Sequence, residues 1–495
     1  MKFNDSLKNI LVNSITYLYI LLFVYAAVSK LLDFENFRIQ LGQSPLIGAF
    51  ADYLVWLVPI IEIFIAILLI TNKFKIHGIY ASYFLMVMFS AYIFIILHYS
   101  IYVPCSCGGV LEKLSWNAHL IFNILFVLLA IAGILIENKH LKKSVLHLFL
   151  LGFFGVSFIL VLYGFSERII QKANPFIRRF PPHIVEYETQ TDLKYNSYYF
   201  AGVDNYSLYL GNTTAPLQVL KISKDLKEIQ SIKITPEESS FHFRSLQLKV
   251  IPPYFYLADG TVPCIYGGKT TDWKAKLKLE GAPYFTLIES MDSINFVFRS
   301  NSLRSGENII GILKLSHPPQ FKLTDQLLQK QNKKDGIFDT DGTLLVDKES
   351  TKIIYLYRYR NQFIVADKNA DLLYRGNTID TISQARIQVS EVNGERTMSK
   401  PPLSVNTDAA VYKNLLFVNS MLRGKYDNKK AWEMSSTIDV YDLVKRKYLF
   451  SFYIPAFNTK KISGVIVTDK KIYVLAGTKL ILYETKGVLE HKLKE

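Results

Sequence analysis

Hydrophobic and polar residues are distributed unevenly along this chain. The first third is almost continuously apolar, and most charged residues follow it. A helix needs about 20 apolar residues to cross a bilayer, and five runs in the first third meet that length. They cover residues 12–32, 53–71, 78–99, 116–136 and 145–165. The pattern therefore predicts an α-helical transmembrane bundle of about five helices within residues 1–165.

The pattern changes after a short basic connector at residues 166–185, which contains Pro175, Pro181 and Pro182. From residue 186 to 495, short runs of Tyr, Phe, Val, Ile and Leu alternate with polar residues and are separated by turn residues. The runs recur in units of about 40 to 50 residues with four strands each, which is typical of a β-propeller. We count about six units, so the sequence predicts an all-β domain, a six-bladed β-propeller. A large sandwich or an irregular β-solenoid is the alternative.

The length of the chain indicates how many domains it forms, and its net charge restricts the partners it is expected to bind. A chain of 495 residues is expected to form two or more domains. Its formal net charge of +15 is compatible with nucleic-acid binding, but no Lys/Arg run or recognition helix accompanies it. Lysines beside apolar segments are better explained by membrane orientation and by attraction to anionic lipid. Membrane lipid is thus an expected partner, and nucleic acid is not.

The lysines and arginines of the short loops predict the orientation of the bundle, because they accumulate on the cytoplasmic side. With the N-terminus inside, the cytoplasmic segments hold Lys2, Lys8, Lys73, Lys75, Lys139, Lys142 and Lys143, and the opposite side holds Lys30, Arg38 and Lys113. This orientation puts residues 100–115 and the β-domain outside the cytoplasm. The first exterior loop, residues 33–52, is partly apolar and is expected to lie on the membrane surface.

Three cysteines are too few for a disulfide scaffold. Cys264 lies in a strand-rich stretch and is interpreted as a small buried hydrophobic residue. Cys105 and Cys107 form a Cys-Ser-Cys-Gly-Gly motif between the third and fourth apolar runs. A disulfide between residues i and i+2 closes a small ring and is strained, and strained exposed disulfides tend to be catalytic or labile. The motif favours thiol–disulfide chemistry.

Two other interpretations of the cysteine pair stay open. One is a metal site, in which His98 and His119 join the two thiolates, although Cys-x-Cys is shorter than the usual zinc spacing. The other is a static loop disulfide. The redox interpretation is preferred, and no metal is expected.

Several segments resemble the MauE/DoxX-like family of redox-associated membrane proteins, in the version found in Bacteroidota. The resemblance covers residues 11–139. It rests on residues 29–37 (SKLLDFENF), 41–46 (LGQSPL), 105–109 (CSCGG) and 116–123.

The resemblance implies a bacterial inner membrane, a periplasmic β-domain and a protein partner, for example a thioredoxin-like one. It also implies similarity to quinone-linked disulfide enzymes, which relay electrons between two cysteine pairs. This bundle has only one pair. Either the pair reacts directly with a membrane quinone, or a partner supplies the second dithiol, or the redox role has been lost. No other cofactor is expected.

Two polar side chains in the apolar runs are further site candidates. Glu62 lies in the middle of the second run, where a carboxylate is costly and is by default functional. It is a candidate for taking up a proton or bonding a quinone oxygen, and the alternative is an interhelical hydrogen bond to Tyr, Ser or Asn. His119 is a candidate for stabilising a thiolate, and the alternative is an anchor at the level of the lipid headgroups.

The function predicted from these features is an inner-membrane thiol–disulfide redox protein. Cys105 and Cys107 carry the chemistry with Glu62 and His119, and the β-propeller docks a partner or substrate protein. Enzymatic activity as a thiol–disulfide oxidoreductase is left open. The alternative is a non-enzymatic, membrane-anchored propeller that serves as a scaffold in an envelope or secretion complex, since a propeller fold by itself does not determine function.

Overall fold

The computed structural model describes residues 5–44, 46–99, 115–138, 140–172, 174–237, 242–281, 283–302, 305–331, 336–387, 389–392, 395–398 and 402–494. The first part of the chain is helical. Its helices are α1 (Asp5–Leu32), α2 (Phe34–Gln43), a short 3-10 turn (Gly48–Phe50), α3 (Ala51–Ile70), α4 (Lys75–Tyr99), α5 (Trp116–Glu137) and α6 (Leu141–Lys172).

Five helices of the described chain, α1, α3, α4, α5 and α6, are long and apolar enough to cross a membrane. The prediction of a multi-pass helical bundle is therefore confirmed. The last helix continues to Lys172, beyond the predicted end at Phe165. The predicted first exterior loop, residues 33–52, is partly helical, because α2 occupies 10 of its residues.

Hydrogen bonds join neighbouring membrane-spanning helices. Such bonds between polar groups of different helices are common in membrane bundles. The Tyr19 hydroxyl of α1 donates to the Phe126 carbonyl oxygen of α5 at 2.5 Å. The Tyr83 hydroxyl of α4 donates to the Leu148 carbonyl of α6 at 3.1 Å. Leu21, on the outer surface, is 68% exposed, and it belongs to a broad apolar surface that suits contact with lipid.

The remainder of the described chain is mostly β-structure. Its strands are β1 (Val185–Asp192), β2 (Tyr198–Val203), β3 (Ser207–Asn212), β4 (Gln218–Ser223), β5 (Ile229–Lys233), β6 (Thr235–Pro236), β7 (Leu246–Ile251), β8 (Tyr254–Asp259), β9 (Cys264–Lys269), β10 (Lys274–Glu280), β11 (Leu287–Ser290), β12 (Asn295–Asn301), β13 (Asn308–Lys314), β14 (Gln320–Thr324), β15 (Gly342–Asp347), β16 (Lys352–Tyr357), β17 (Gln362–Ala366), β18 (Leu372–Asn377), β19 (Val389–Val392), β20 (Glu395–Met398), β21 (Asn406–Tyr412), β22 (Leu415–Ser420), β23 (Ser435–Asp442), β24 (Lys447–Pro455), β25 (Gly464–Val467), β26 (Lys471–Ala476) and β27 (Lys479–Thr485). Two short helices complete it, α7 (Lys429–Glu433) and α8 (Gly487–Lys494).

Apart from β19 and β20, which pair only with each other, these strands form six blades. Neighbouring strands in a blade are antiparallel, except that β6 pairs in parallel with β10. Five blades are consecutive in sequence: β2–β5, β7–β10 with β6 added at its edge, β11–β14, β15–β18 and β21–β24. The sixth has the order β1-β27-β26-β25, so the first strand pairs with the last one and closes the ring. The first strands of successive blades, β2, β7, β11, β15, β21 and β25, contact one another around the ring. The predicted six-bladed β-propeller is confirmed.

The chain forms two compact units. One contains residues 1–182 together with the short segment Gly424–Asn428, and the other contains His183–Arg423 and Lys429–Glu495. Within the first unit, a buried ion pair joins Arg178 Nη1 to Asp427 Oδ2 at 2.5 Å. Buried clusters between the blades form the core of the second unit, such as the one around Phe255, Tyr266 and Trp273.

Candidate functional site in the membrane bundle

A buried ion pair lies inside the helical bundle. Lys30, in the last turn of α1, places its Nζ 2.7 Å from Oε1 of Glu62, in the middle of α3. The Glu62 side chain is 1% exposed and that of Lys30 is 18% exposed. A carboxylate at such a position is too costly to remain unpaired. The long Lys30 side chain reaches it from the neighbouring helix and compensates its charge.

Two further polar side chains lie on α5. That helix begins after Ser115, whose hydroxyl accepts a hydrogen bond from the Ala118 amide at 3.3 Å and caps the first turn. His119 and Asn123 follow four residues apart, so they share one face of the helix. Asn123 is 2% exposed. The His119 ring lies 6.3 Å from the Trp116 ring, with the planes 27° apart.

These side chains line one large cavity. Its volume is about 1090 Å³, and its walls are almost wholly apolar side chains of the five long helices and α2. Lys30, Glu62, His119 and Asn123 are the main polar groups on its surface. Three of their atoms are buried and have no hydrogen-bond partner among the described residues: Glu62 Oε2, His119 Nδ1 and Asn123 Nδ2. The cavity thus combines apolar walls with a small group of unsatisfied polar atoms.

The residues predicted for the site are distributed as follows. Glu62 and His119 line the same cavity. Cys105 and Cys107 lie outside the described residues. His98 is exposed near the end of α4, and its Nδ1 lies 2.9 Å from the Phe94 carbonyl oxygen of its own helix. Of the described residues, no three His, Cys, Asp or Glu side chains are grouped so that they could hold a metal ion.

Cys264 is fully buried in the propeller core, as expected for a small hydrophobic residue. Burial raises the pKa of its thiol to about 11, and the nearby Asp259 carboxylate acts in the same direction. The thiol is therefore protonated at neutral pH and inaccessible to reagents. Cys264 is a structural residue that plays no part in the candidate site.

Lys30 and Asn123 are cavity residues that were not among the site residues predicted from the sequence. One of the two interpretations of Glu62 made from the sequence was an interhelical hydrogen bond to Tyr, Ser or Asn, and the structure corrects the partner of that bond to Lys30. A signal was present in the sequence. A carboxylate within an apolar helix needs a cation nearby, and Lys30 is the cation at the end of the preceding apolar run.

Chemically, the cavity offers a hydrogen-bond acceptor, a donor and a group that can act as either. The Glu62 carboxylate accepts, the Asn123 amide nitrogen donates and the His119 ring does one or the other according to its tautomer. All three lie in an environment of low dielectric constant, where a hydrogen bond is stronger than in water. Such a site can orient the polar end of an otherwise apolar molecule.

Comparison with known proteins identifies the helical region. Residues 8–136 match the family model of methylamine utilisation protein MauE. The match includes nearly all of α1 to α5, and with them Lys30, Glu62, His119 and Asn123. The helix α6 and the propeller lie outside it. No curated protein matches the sequence of the chain.

Solved structures match part of the chain at low sequence identity. A member of the DUF4221 family from Bacteroides vulgatus is 10% identical, with a TM-score of 0.42, over 61% of this chain and 97% of that one. A streptogramin B lyase is 8% identical, with a TM-score of 0.36, over 60% of this chain and 98% of the lyase. A protein of unknown function from Bacteroides thetaiotaomicron is 8% identical, with a TM-score of 0.37, over 61% and 72% of the two chains.

Proposed function

Because residues 8–136 form a MauE-type membrane region joined to a six-bladed propeller, we propose that the protein is a membrane thiol–disulfide redox protein. Cys105 and Cys107 are its reactive pair, and the propeller docks the protein partner. The site is located in a bacterial inner membrane, with the N-terminus in the cytoplasm and the propeller in the periplasm. The proposed partner is a thioredoxin-like protein, because thiol–disulfide exchange needs a reactive dithiol or disulfide on the other protein.

One observation carries the proposal. Residues 108–115 join the cysteine pair to the start of α5. This helix carries His119 and Asn123, which line the same cavity as the Lys30–Glu62 pair. A purely structural anchor has no need for a buried ion pair and unsatisfied polar atoms at this position, because both are costly in a membrane. His119 and Glu62 are accordingly proposed as groups that handle protons during thiol exchange.

The proposed reaction is a reversible exchange. A thiolate of the pair attacks a partner disulfide, forms a mixed disulfide and releases one partner thiolate. The second cysteine then attacks the mixed disulfide, which closes the Cys105–Cys107 bond and releases the second partner thiol. In the opposite direction, the Cys105–Cys107 disulfide takes two electrons and two protons from a partner dithiol.

The test is capture of the mixed disulfide in cells. In the Cys107→Ser variant the second step cannot occur, so Cys105 should remain bound to its partner and give a larger species on a non-reducing gel. Reductant should dissolve that species, and the Cys105→Ser/Cys107→Ser variant should lack it. If neither single variant forms a partner adduct, and both retain the cellular function of the protein, the proposal is wrong.

The proposed orientation has its own test. Single cysteines can be introduced at Lys73, between α3 and α4, and at Asp33, between α1 and α2, in a variant that lacks the natural cysteines. A reagent that cannot cross the inner membrane should label position 33 and leave position 73 unlabelled in spheroplasts. The reverse pattern would overturn the orientation.

The closed propeller ring favours a second function, that of a membrane-anchored scaffold. Propellers present several loop-bearing faces and often bind proteins, although the fold does not decide function. A scaffold should co-purify with its partners to the same extent after Cys105→Ser/Cys107→Ser substitution. Loss of the partner on substitution of the cysteines would favour the redox function instead.

A further inference from the structure

Two arginines and an aspartate meet where two neighbouring blades of the propeller begin. Asp341 immediately precedes β15, the first strand of its blade. Arg358 directly follows β16 of the same blade, and Arg299 lies in β12 of the preceding blade. Asp341 Oδ1 lies 2.7 Å from Arg299 Nη1, and Asp341 Oδ2 lies 3.0 Å from Arg358 Nε. One carboxylate therefore holds two guanidinium groups.

This group lies at one end of the ring of first strands. The first strands, which include β11 and β15, contact one another around the ring, so they surround the central channel of the propeller. Arg299 pairs with Leu287, the first residue of β11, and Asp341 is adjacent to the first residue of β15. The side chains of Asp341 and Arg358 are 29% and 34% exposed. The group is therefore accessible to solvent at the rim of the channel.

The Arg299 guanidinium is held in one orientation by neutral partners as well. Its Nε donates to the Thr286 hydroxyl at 2.8 Å, and its Nη1 donates to the Tyr355 hydroxyl at 2.9 Å. The Tyr355 hydroxyl in turn donates to the Thr340 carbonyl oxygen at 2.7 Å. Because these contacts already fix the side chain, little conformational entropy is lost when Arg299 binds a further group.

Hydrogen-bond donors of both arginines remain available. A guanidinium group has five N–H donors. Among the described residues, Arg299 Nη2 and both terminal nitrogens of Arg358 have no hydrogen-bond partner. The two arginines and Asp341 together also carry one positive charge in excess. The group can therefore bind a further acceptor that brings a single negative charge.

A second carboxyl group, that of Asp408 in β21, lies near Arg358. Burial raises the pKa of Asp408 to about 7, although the charge of Arg358 acts in the opposite direction. Its Oδ2 accepts a hydrogen bond from the Val465 amide at 3.0 Å. The Asp408 carboxyl is therefore mostly neutral below pH 7, and the excess positive charge of the two arginines persists there.

A carboxylate is the ligand that these properties favour. Arginine binds carboxylates through paired hydrogen bonds, and a carboxylate balances the single excess charge, whereas a phosphate dianion exceeds it. Because Arg358 is 34% exposed, one ion pair with it contributes a factor of about five or less to affinity. That is too little to retain a small free acid. A polypeptide gains further contacts with the face of the propeller around the rim.

We propose that Arg299 and Arg358 bind a carboxylate side chain of an acidic polypeptide segment at this rim of the propeller. The inference deepens the docking role proposed above, and it rests on that role in assigning the acidic segment to the partner protein. The binding itself depends only on the residues of the rim.

The test uses the full-length protein in uncharged phosphatidylcholine nanodiscs and a fluorescent peptide of alternating glutamate and glycine residues. Binding is followed by fluorescence anisotropy at pH 6 and physiological salt, where Asp408 is mostly protonated and the glutamates, with a pKa of about 4.3, are ionised. Saturable binding is expected, and the same peptide with glutamine in place of glutamate should not bind. Arg299→Gln and Arg358→Gln should each weaken binding about threefold to fivefold.

Lys348 and Arg446 provide matched controls. Lys348 is exposed and directly follows β15, so it lies at the opposite end of the strand that Asp341 precedes, about 20 Å away. Arg446 is exposed in the turn between β23 and β24, in another blade. Lys348→Gln and Arg446→Gln remove the same charge elsewhere on the propeller and should leave the affinity unchanged. The unfolding temperature of each variant establishes that it is folded.

Three results would overturn the proposal. The first is equal affinity of the native protein and the Arg358→Gln variant, which keeps the Arg299–Asp341 pair and is altered at a partly exposed position. The second is a loss with Lys348→Gln or Arg446→Gln as large as that with Arg358→Gln, which would show unspecific attraction to a basic surface. The third is displacement of the peptide by acetate at the same carboxylate concentration, or by inorganic phosphate at a lower one, which would identify a site for a small acid or for phosphate.

The rim site and the redox function can fail independently. If the acidic peptide does not bind while the Cys107→Ser variant still forms a partner adduct, only the rim site is wrong. If the peptide binds through Arg299 and Arg358 and no adduct forms, the redox function is wrong and the rim site stands.

Discussion

Lys30 Nζ lies 2.7 Å from Glu62 Oε1, and this pair joins α1 to α3 inside the apolar bundle. The second carboxylate oxygen, Glu62 Oε2, has no hydrogen-bond partner among the described residues. The pair therefore has two structural effects on the bundle. It holds two helices together, and it leaves one acceptor directed to the cavity that His119 and Asn123 also line.

The first prediction concerns the stability of this pair. Lys30→Met leaves the Glu62 carboxylate buried without its cation, which should destabilise the bundle by about 3–5 kcal/mol. The double variant Lys30→Met/Glu62→Leu removes both charges and should recover most of that loss. The measurement is unfolding in mixed detergent micelles, followed by circular dichroism.

Lys75→Met is the matched control for the ion pair. The Lys75 ammonium only donates a hydrogen bond to the Asn13 amide oxygen, at 2.9 Å, so the cost should be below about 1 kcal/mol. If Lys30→Met and Lys75→Met are equally mild, the Lys30–Glu62 pair does not contribute to bundle stability as described.

The second prediction concerns the three thiols. Cys264 is fully buried, and burial raises its pKa to about 11, so it should not react with maleimide in the native protein at pH 7. After reduction, the native protein should incorporate label only at Cys105 and Cys107, and Cys264 should react only after denaturation. Mass spectrometry of labelled peptides gives the result directly. Native labelling of Cys264 at a rate similar to the other two would contradict its assignment as a core residue.

The third prediction concerns Asp408 in β21. Burial raises the pKa of this carboxyl to about 7, while its Oδ2 accepts a hydrogen bond from the Val465 amide at 3.0 Å. An unfolded aspartic acid has a pKa of about 3.9, so the folded protein keeps a proton that the unfolded chain releases. The contribution to stability is therefore complete below about pH 4, and it declines as the pH rises to about 7.

Asp408→Asn keeps an oxygen acceptor for Val465 but cannot ionise. The variant should unfold at a higher temperature than the native protein at pH 8, by an amount equivalent to about 4 kcal/mol, and at a similar temperature near pH 4. The propeller transition in differential scanning calorimetry reports this difference. The same difference at both pH values would show that ionisation of Asp408 is not its cause.

The fourth prediction concerns Asp259, which ends β8 and is fully buried. Its Oδ2 accepts from the amides of Arg244 and Ser245 at 2.7 and 2.8 Å, and its Oδ1 accepts from those of Thr261 and Val262 at 2.9 and 3.0 Å. Asp259→Ala leaves four amides without their acceptor and should lower the stability of the propeller by about 3 kcal/mol.

Asp272→Ala is the control for Asp259. Asp272 is exposed, and its Oδ1 accepts a single hydrogen bond, from the Lys274 amide at 3.2 Å. The loss should be below about 1 kcal/mol, as measured by the unfolding temperature of the propeller. Similar losses for the two variants would show that the four hydrogen bonds accepted by Asp259 do not stabilise the propeller as described.

The architecture could be predicted from the sequence wherever buried positions are marked by apolar residues. The transmembrane helices could be predicted because a helix that crosses a bilayer needs a continuous run of apolar residues. Inner and middle strands of the blades are buried, so their apolar residues mark them, as in Lys471–Ala476. The outer strands β1, β14 and β18 are largely exposed, and for that reason they carry no strong apolar signal. The ring closure by β1 therefore required the structure.

The site was only partly predictable for a different reason. Glu62 is visible in the sequence because a carboxylate in an apolar run is conspicuous. Its partner Lys30, by contrast, is 32 residues away along the chain and is equally well explained as a residue at a helix end. Only the packing of α1 against α3 brings the two together. The same holds for the cavity, which depends on the arrangement of all the long helices.

The most direct test of the central claim is the redox state of Cys105 and Cys107 in living cells. Cells that express the Cys264→Ala variant are quenched with acid, and free thiols are tagged with a maleimide that adds mass, so that only the pair is reported. We predict that dithiothreitol converts the pair to the dithiol form and that the disulfide returns within minutes of its removal. A pair that stays in a single state throughout would contradict the proposed thiol–disulfide function.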